Sequence, residues 1–310
     1  MTRTIKLADG KSIPALQWGN GSGGLNGKHD PALEYGITAL KSGVKAIDTA
    51  ELYKTEVATG EAIKQVGAKK ADIWVTTKTH LDCCSAVPAT AEAIKANVQD
   101  RLEKLGFKPD LLLIHNPFVV EGLKIAQFWT ALEDLVLDGT LEGVSLGVSN
   151  FRPQDLEAVL GVARIKPVVN QLEYHPYVLT HLQPVLDIQA KHGIVTEAFG
   201  PLTPVLRHPT GGPIKPILER IAERLFKETG KKVDTAAVLL LWTVGKGVVA
   251  VTTSSKESNI KKIVQVDNEL PDLTKEEIDE IESAGRKVHF RYYAEHMTED
   301  FPAPNLPEDL

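Results

Sequence analysis

Two rhythms of apolar residues alternate along this chain. Short runs of β-branched and aliphatic residues read as strands, and longer stretches with apolar positions every three or four residues read as helices. The chain opens with Asp9-Gly10 between Thr4-Ile5-Lys6-Leu7 and Ser12-Ile13-Pro14, which predicts a hairpin. Ala15 to Trp18 is a short strand running into the loop Gly19-Asn20-Gly21-Ser22-Gly23-Gly24. Such a loop lets backbone approach a ligand closely, or is simply flexible.

Asp30-Pro31 opens a helix through about Ser42, with proline at a tolerated early position. Further strands are predicted at Val44–Ile47, Asp72–Lys78, Asp110–His115, Gly143–Ser149, Pro167–Gln171, Ile194–Phe199 and Val248–Thr253. Helices follow them at Thr55–Gln65, Ala89–Leu105, Ile125–Asp138, Pro153–Val162, Thr180–His192, 217–228 with 234–245, and Ile260–Val266. Gly200 to Pro216 reads as a loop rich in proline and glycine. A last helix is opened by the capping box Thr274-Lys275-Glu276-Glu277. Eight strand-helix pairs without a low-complexity linker predict one α/β domain over residues 1–310. Its architecture is a (β/α)₈ barrel with an N-terminal β-hairpin and an extra C-terminal helix and loop. A doubly wound open sheet fits less well, because no early phosphate-binding glycine turn of the GxGxxG kind is present.

Composition narrows the partners. The formal net charge of -6 argues against a general nucleic-acid binder, and 43% hydrophobic residues suit a protein with a substantial core. Met1-Thr2-Arg3-Thr4-Ile5-Lys6 has no apolar signal region, and runs such as Ala236 to Trp242 are too short to span a bilayer. The ending Glu308-Asp309-Leu310 matches no C-terminal address signal. The adjacent Cys83 and Cys84 suit neither a disulfide framework nor a zinc site and read as reduced thiols. The expectation is a cytoplasmic protein without membrane, nucleic-acid or metal partners.

The chemistry emerges from the ends of the strands. Ala46-Ile47-Asp48-Thr49-Ala50-Glu51-Leu52-Tyr53 places Asp48 at the end of the second strand and Tyr53 just beyond it. The next two strands end in Lys78 and His115. The fifth offers Ser149 and Asn150, the sixth Gln171, the seventh Phe199, and the eighth runs out through Thr252-Thr253-Ser254-Ser255-Lys256. In a parallel barrel these ends converge on one face. Singly, Lys78 suits a solvated loop and His115 a hydrogen-bonded rim, and Asp48 suits an N-cap. Together they make a proton donor for a carbonyl oxygen. Tyrosine titrates near about 10, a neighbouring ammonium is expected to lower that value, and Asp48 would hold the ammonium in place. His115 can hydrogen-bond and orient the carbonyl.

These segments, with Thr76-Thr77-Lys78, Asp110-Leu111-Leu112-Leu113-Ile114-His115-Asn116-Pro117, Gly147-Val148-Ser149-Asn150-Phe151 and Asn170-Gln171-Leu172-Glu173-Tyr174-His175-Pro176, carry a resemblance. The chain resembles the aldo-keto reductase superfamily along nearly its whole length. The resemblance implies an Asp48/Tyr53/Lys78/His115 tetrad with Tyr53 as the acid and a nicotinamide cofactor as the hydride donor. It implies that Ser149, Asn150 and Gln171 bind the carboxamide, and that the ring of Phe199 stacks on the nicotinamide. Gly19, Asn20, Asp48, Gly200 and Leu202 complete the implied cofactor contacts on that side. Thr252, Thr253, Ser254, Ser255, Lys256 and Asn259 complete them at the eighth strand.

Two departures refine the reading. The usual Pro-Lys-Ser of the eighth strand is replaced by Thr252-Thr253-Ser254-Ser255-Lys256, and Asn259 stands where arginine is usual. This version is similar to the fungal branch that reduces α-keto amides, conjugated polyketones and ketolactones such as ketopantoyl lactone. Its hydroxyls and Lys256 can grip a 2′-phosphate, so NADPH is the expected cofactor. Asn116 replaces a tryptophan that walls the pocket of many aldose-reducing members, which favours small dicarbonyl substrates at Tyr53, His115 and Asn116. Trp18, Phe118, Trp129, Tyr292 and Tyr293 are candidates for the outer pocket. An NADPH-dependent reductase of activated ketones and aldehydes, monomeric as the resemblance implies, is the leading reading. The alternatives are an aldose or xylose reductase and a cofactor-sensing channel subunit of the same fold.

Overall fold

A computed structural model describes residues 2–79, 90–118 and 125–293. Strands β1 (Thr4–Lys6) and β2 (Ser12–Pro14) form the antiparallel hairpin. Eight parallel strands then close into a barrel: β3 (Leu16–Gly19), β4 (Ala46–Asp48), β5 (Trp74–Thr79), β6 (Leu111–Ile114), β7 (Ser145–Ser149), β8 (Val169–Glu173), β9 (Val195–Phe199) and β10 (Val249–Thr252). They pair in chain order, and β10 closes onto β3. Helices cover the outside: α1 (His29–Ser42), α2 (Glu56–Gln65), α3 (Ala91–Leu105), α4 (Ile125–Leu137), α5 (Pro153–Leu160) and α6 (Leu179–His192). After β9 come α7 (Thr203–Leu206), α8 (Lys215–Thr229) and α9 (Thr235–Gly245), and after β10 come α10 (Glu257–Asn268) and α11 (Lys275–Gly285).

The barrel strands are apolar because both of their faces are covered. Outward-pointing side chains such as Trp18, Ile47, Leu112 and Leu146 pack with the helices in the main core. Inward ones form a smaller cluster in which Leu7 and Ile13 of the hairpin meet Leu111, Leu113, Val169 and Val249. Leu111, Val169 and Val249 open their strands, so the hairpin closes the amino-terminal end of the barrel and leaves the opposite end for polar side chains.

Helix signals in the sequence behave as their chemistry requires. Thr90 caps α3 by accepting from Ala93 N, and Gly106 ends it at φ 79. Thr274 and Glu277 form the capping box of α11. One element differs from the sequence expectation. The stretch predicted as loop from Gly200 contains α7, whose first turn accommodates Pro204 because proline's missing N–H is unneeded there.

Candidate active site

Asp48 ends β4, and the chain turns to return Tyr53 over the barrel mouth. Tyr53 N donates to Ala50 O at 3.1 Å, Gly27 N donates to Tyr53 O at 2.8 Å, and Lys54 takes a positive φ of 55° immediately afterwards. The turn is tied to its neighbours from both sides. Glu51 N donates to Lys78 O at 3.1 Å, while the Glu51 carboxylate meets Arg101 Nη1 of α3 at 2.6 Å. Lys78, on β5 and wholly buried, donates to Asp48 Oδ1 and Oδ2 at 2.7 and 2.8 Å and to Thr49 O at 3.1 Å. Its Nζ lies 4.8 Å from the centroid of the Tyr53 ring. His115 sets its ring edge-on to Tyr53 at 5.4 Å between centroids and 86° between planes.

The electrostatics differ in one respect from the sequence expectation. Burial raises the Tyr53 hydroxyl above its ordinary value, and the Lys78 ammonium only partly opposes it. The expected lowering is absent in the protein alone because desolvating a phenolate costs more than one ammonium, already paired with Asp48, returns. Burial by itself would pull Lys78 down, but the Asp48 carboxylate reverses that and holds the ammonium above its usual range. Tyr53 is therefore a firmly protonated hydroxyl beside a firmly protonated amine.

These residues meet at a cavity of about 420 Å³ at the carboxyl-terminal end of the barrel. Asp48, Tyr53, His115, Ser149, Asn150, Gln171 and Phe199 line its floor. Asn150 takes a positive φ of 60° after β7, a conformation asparagine tolerates, and its Nδ2 donates to His115 O at 3.0 Å. Its buried Oδ1 has no hydrogen-bond partner. Gln171 Nε2 donates to Asp48 Oδ2 at 2.9 Å, so this side chain reaches the charged pair as well as the cavity. Gly200, Leu202, Thr203 and Arg207 form one wall, brought there by α7.

Tyr293 adds a wall from the far end of the chain. The buried Glu173 carboxylate accepts from Tyr292 N and Tyr293 N at 2.9 and 3.0 Å and meets His175 Nε2 at 3.1 Å. This clamp sets the Tyr293 ring edge-on to Phe199, 5.5 Å between centroids. Of the five aromatic candidates for the outer pocket, Tyr293 alone lines the cavity. Trp18 and Trp129 are core residues, Phe118 lies under Arg152, and Tyr292 lies under Arg207.

Gly19, Thr252 and Thr253 line the cavity opposite. The indole of Trp18 donates to Ser254 O at 3.0 Å and shapes this loop from behind. Ser254 and Ser255 are half-buried beyond it, while Lys256 and Asn259 are exposed around the start of α10. Asn20 and Asn116 are buried but point elsewhere. Asn20 Nδ2 donates to Thr59, its Oδ1 accepts from Thr55, and Asn116 Oδ1 accepts from Phe118 N. Asn20 reaches the site through its backbone N–H, which donates to Asp48 O at 3.1 Å. Cys83 and Cys84 lie outside the described residues.

Sequence reasoning read Gly21 only as part of a glycine-rich loop able to approach a ligand, and it missed Arg207 and Glu197. Gly21 and Arg207 line the cavity, and Glu197 lies within the barrel. Of those missed, only Glu197 carried a usable signal, an acidic residue two positions before Phe199 on the inward face of a predicted strand. Among the described residues no group of three or more potential metal ligands is present, and no helix is long and apolar enough to cross a membrane.

A barrel with a buried lysine-aspartate pair beneath a tyrosine at its carboxyl-terminal mouth points to one class of oxidoreductase. The model described as the Aldo/keto reductase family matches residues 17–286, and the chain belongs to that family of NAD(P)-dependent oxidoreductases. It is 33% identical over 264 residues to the NAD/NADP-dependent indole-3-acetaldehyde reductase of Schizosaccharomyces pombe, covering 84% of this chain and 86% of that protein. It is 31% identical over 291 residues to the NADPH-dependent alpha-keto amide reductase of Saccharomyces cerevisiae, covering 90% and 89%. Among solved structures, an aldo/keto reductase from Brucella melitensis superposes with a TM-score of 0.74 at 30% identity, covering 92% of this chain and all of that one.

Proposed function

We propose that the protein is an NADPH-dependent reductase of activated ketones and aldehydes, with α-keto amides, α-dicarbonyls, conjugated polyketones and ketolactones as its substrate class. Residues 1–310 act as one domain, as a monomer in the cytoplasm. The observation that carries the reading is the placement of Tyr53 at the cavity, 4.8 Å from an ammonium that Asp48 grips through both oxygens.

The cavity's chemistry suits a nicotinamide. The unpartnered Asn150 Oδ1 is an acceptor for a carboxamide N–H, Ser149 and Gln171 lie beside it, and the Phe199 ring is available for stacking. At Gly19 a Cβ would stand 3.0 Å from Val251 and 3.3 Å from Thr253 Oγ1, so glycine keeps this side of the cradle open. Toward the phosphates, Arg207 is the cation among the described lining residues, and Thr252 and Thr253 add hydroxyls. When bound there, the reduced nicotinamide supplies hydride.

The chain's own residues handle the proton. Tyr53 holds it on a hydroxyl at the cavity until negative charge develops on the carbonyl oxygen, when the Lys78 ammonium stabilises the phenolate left behind. Asp48 keeps that ammonium charged and stationary. The His115 ring orients the carbonyl oxygen toward the tyrosine. With the Asn116 side chain turned to Phe118 N, no aromatic ring from that position walls the cavity, which leaves room for a compact dicarbonyl.

The test is loss of NADPH absorbance with an α-keto amide, isatin, a ketolactone and xylose, with NADH in parallel. Fast oxidation by the dicarbonyls and little by xylose supports the proposal. Preferential xylose turnover would replace it with an aldose reductase, and tight NADPH binding without turnover would replace it with a sensing subunit.

A further inference from the structure

Glu197 belongs to no part of the site described above, yet it lies inside the same barrel. On β9 it is in register with Gln171 of β8 and Val249 of β10. Residues in parallel register point to the same face, and Gln171 points inward to Asp48, so Glu197 does too. It is wholly buried and does not line the cavity, which places it beneath the floor.

Among the described residues, the charged neighbours of Glu197 inside the barrel are one carboxyl group, Asp48, and one cation, Lys78. The lysine's hydrogen bonds go to both Asp48 oxygens and to Thr49 O. Neither Glu197 oxygen has a well-directed hydrogen bond, and the polar group that reaches it is the Gln171 amide, already bonded to Asp48. A second carboxylate in this dry space would have no cation of its own and would repel Asp48. The carboxyl is therefore neutral when the pair above it is charged.

We propose that Glu197 is a positioning residue for the reduction, holding a proton beneath the Asp48–Lys78 pair and orienting the Gln171 amide against Asp48. This rests on the roles given above to Asp48, Lys78 and Tyr53. The protonated carboxyl leaves the Gln171 Nε2 to Asp48, because a neutral carboxyl is a weaker acceptor for that amide than a carboxylate. Loss of that proton makes Glu197 an acceptor that competes with Asp48 for the same Nε2, and sets a negative charge against the pair.

The charged and titratable groups facing Glu197 are Asp48 on β4, Tyr53 beyond it and Lys78 on β5. Strand β8 presents Gln171 and β10 presents Val249. Gln17 of β3 is in register with the next inward residue of β10, Val251, and both polar atoms of its side chain lack hydrogen bonds. Burial raises the Glu197 carboxyl to about 8, with Asp48 adding to the rise and Lys78 opposing it.

The test combines infrared titration of ¹³C-glutamate-labelled protein with the pH profile of turnover, for wild type and Glu197→Gln. Wild type should show a protonated-carboxyl component that disappears on titration through about pH 8, above the Glu56 component that titrates near 7, and only the component near 8 should be missing from the variant. Its kcat should fall about threefold or more across the same range with KM little changed, and the variant should lack that inflection because an amide does not titrate. A wild type without the component near 8, or a variant with the same component or the same inflection, overturns the proposal. The wild-type component needs neither turnover nor a folded variant, so it separates failure here from failure of the catalytic reading, which Tyr53→Phe tests.

Discussion

The ring of Tyr53 rests on the backbone of Gly21. A Cβ built at Gly21 would overlap the ring, with its Cζ only 2.5 Å away, so the loop after β3 is part of what holds the proposed proton donor. Gly21→Ala should displace the tyrosine. Misplacing a reacting group by an ångström costs up to about a hundredfold, so kcat should fall at least about tenfold. Steady-state kinetics with isatin, alongside an unchanged melting temperature, would check this.

Removing the Tyr53 hydroxyl alone is the cleaner test of proton donation. Tyr53→Phe should lower kcat by about 10²–10⁴ while leaving NADPH affinity within a few fold, since the ring remains in place. Fluorescence titration with NADPH, run beside the kinetics, separates the two effects. An unchanged rate would remove Tyr53 from its role.

Stability and catalysis should part company at the buried pair. Lys78→Met leaves the Asp48 carboxylate, at most slightly exposed, without its cation, a change that costs about 3–5 kcal/mol. Adding Asp48→Asn should recover most of that loss, because a neutral pair needs no compensation. Turnover should stay lost in both variants. Urea denaturation beside an activity assay reads the two quantities.

Glu197 should also shape the pH dependence of folding. Its carboxyl titrates at about 8 in the folded protein, against an ordinary value near 4.5. Between those values the native state holds a proton that the unfolded chain has released, so its contribution to stability falls as pH rises from 4.5 to about 8. Glu56, raised to about 7 by burial, acts in the same direction over a narrower window. The difference between wild type and Glu197→Gln isolates Glu197: wild type should lose stability relative to the variant across this window. Denaturant midpoints at several pH values test the sign.

Two cations are proposed to grip the cofactor's phosphates differently. Arg207 lines the cavity, with its guanidinium 4.7 Å from the Tyr292 ring centroid, whereas Lys256 is exposed at the N-cap of α10. Lys256→Ala should weaken NADPH much more than NADH, the mark of a 2′-phosphate contact. Arg207→Gln should weaken both cofactors similarly. Dissociation constants for the two cofactors with each variant would distinguish the roles, and an equal response to Lys256→Ala would take it away from the 2′-phosphate.

Much of this was readable from the chain because local chemistry sufficed. The alternation of apolar runs with helical periodicity placed all eight barrel strands, and polar residues at strand ends marked Asp48, Lys78, His115, Ser149, Asn150 and Gln171. Where strands are buried on both faces, a polar residue at the end stands out against an apolar background. Helix α7 was less legible, since four residues containing a proline carry no periodicity. Arg207, which follows it, carried no signal of its own.

By itself, then, the sequence determined the barrel and the identities of the residues at its mouth, because strand period and turn chemistry are short-range properties. The tertiary structure decided what those residues do to one another. It pressed Tyr53 onto Gly21, turned Asn20 and Asn116 to other partners, brought Tyr293 back across 120 residues to Glu173, and sealed Glu197 beneath Asp48 and Lys78. Each of those outcomes depends on burial and on contacts between distant segments. Burial also set the titration of Tyr53 and Glu197, because the cost of removing a charge from water is fixed only once the surrounding walls are in place.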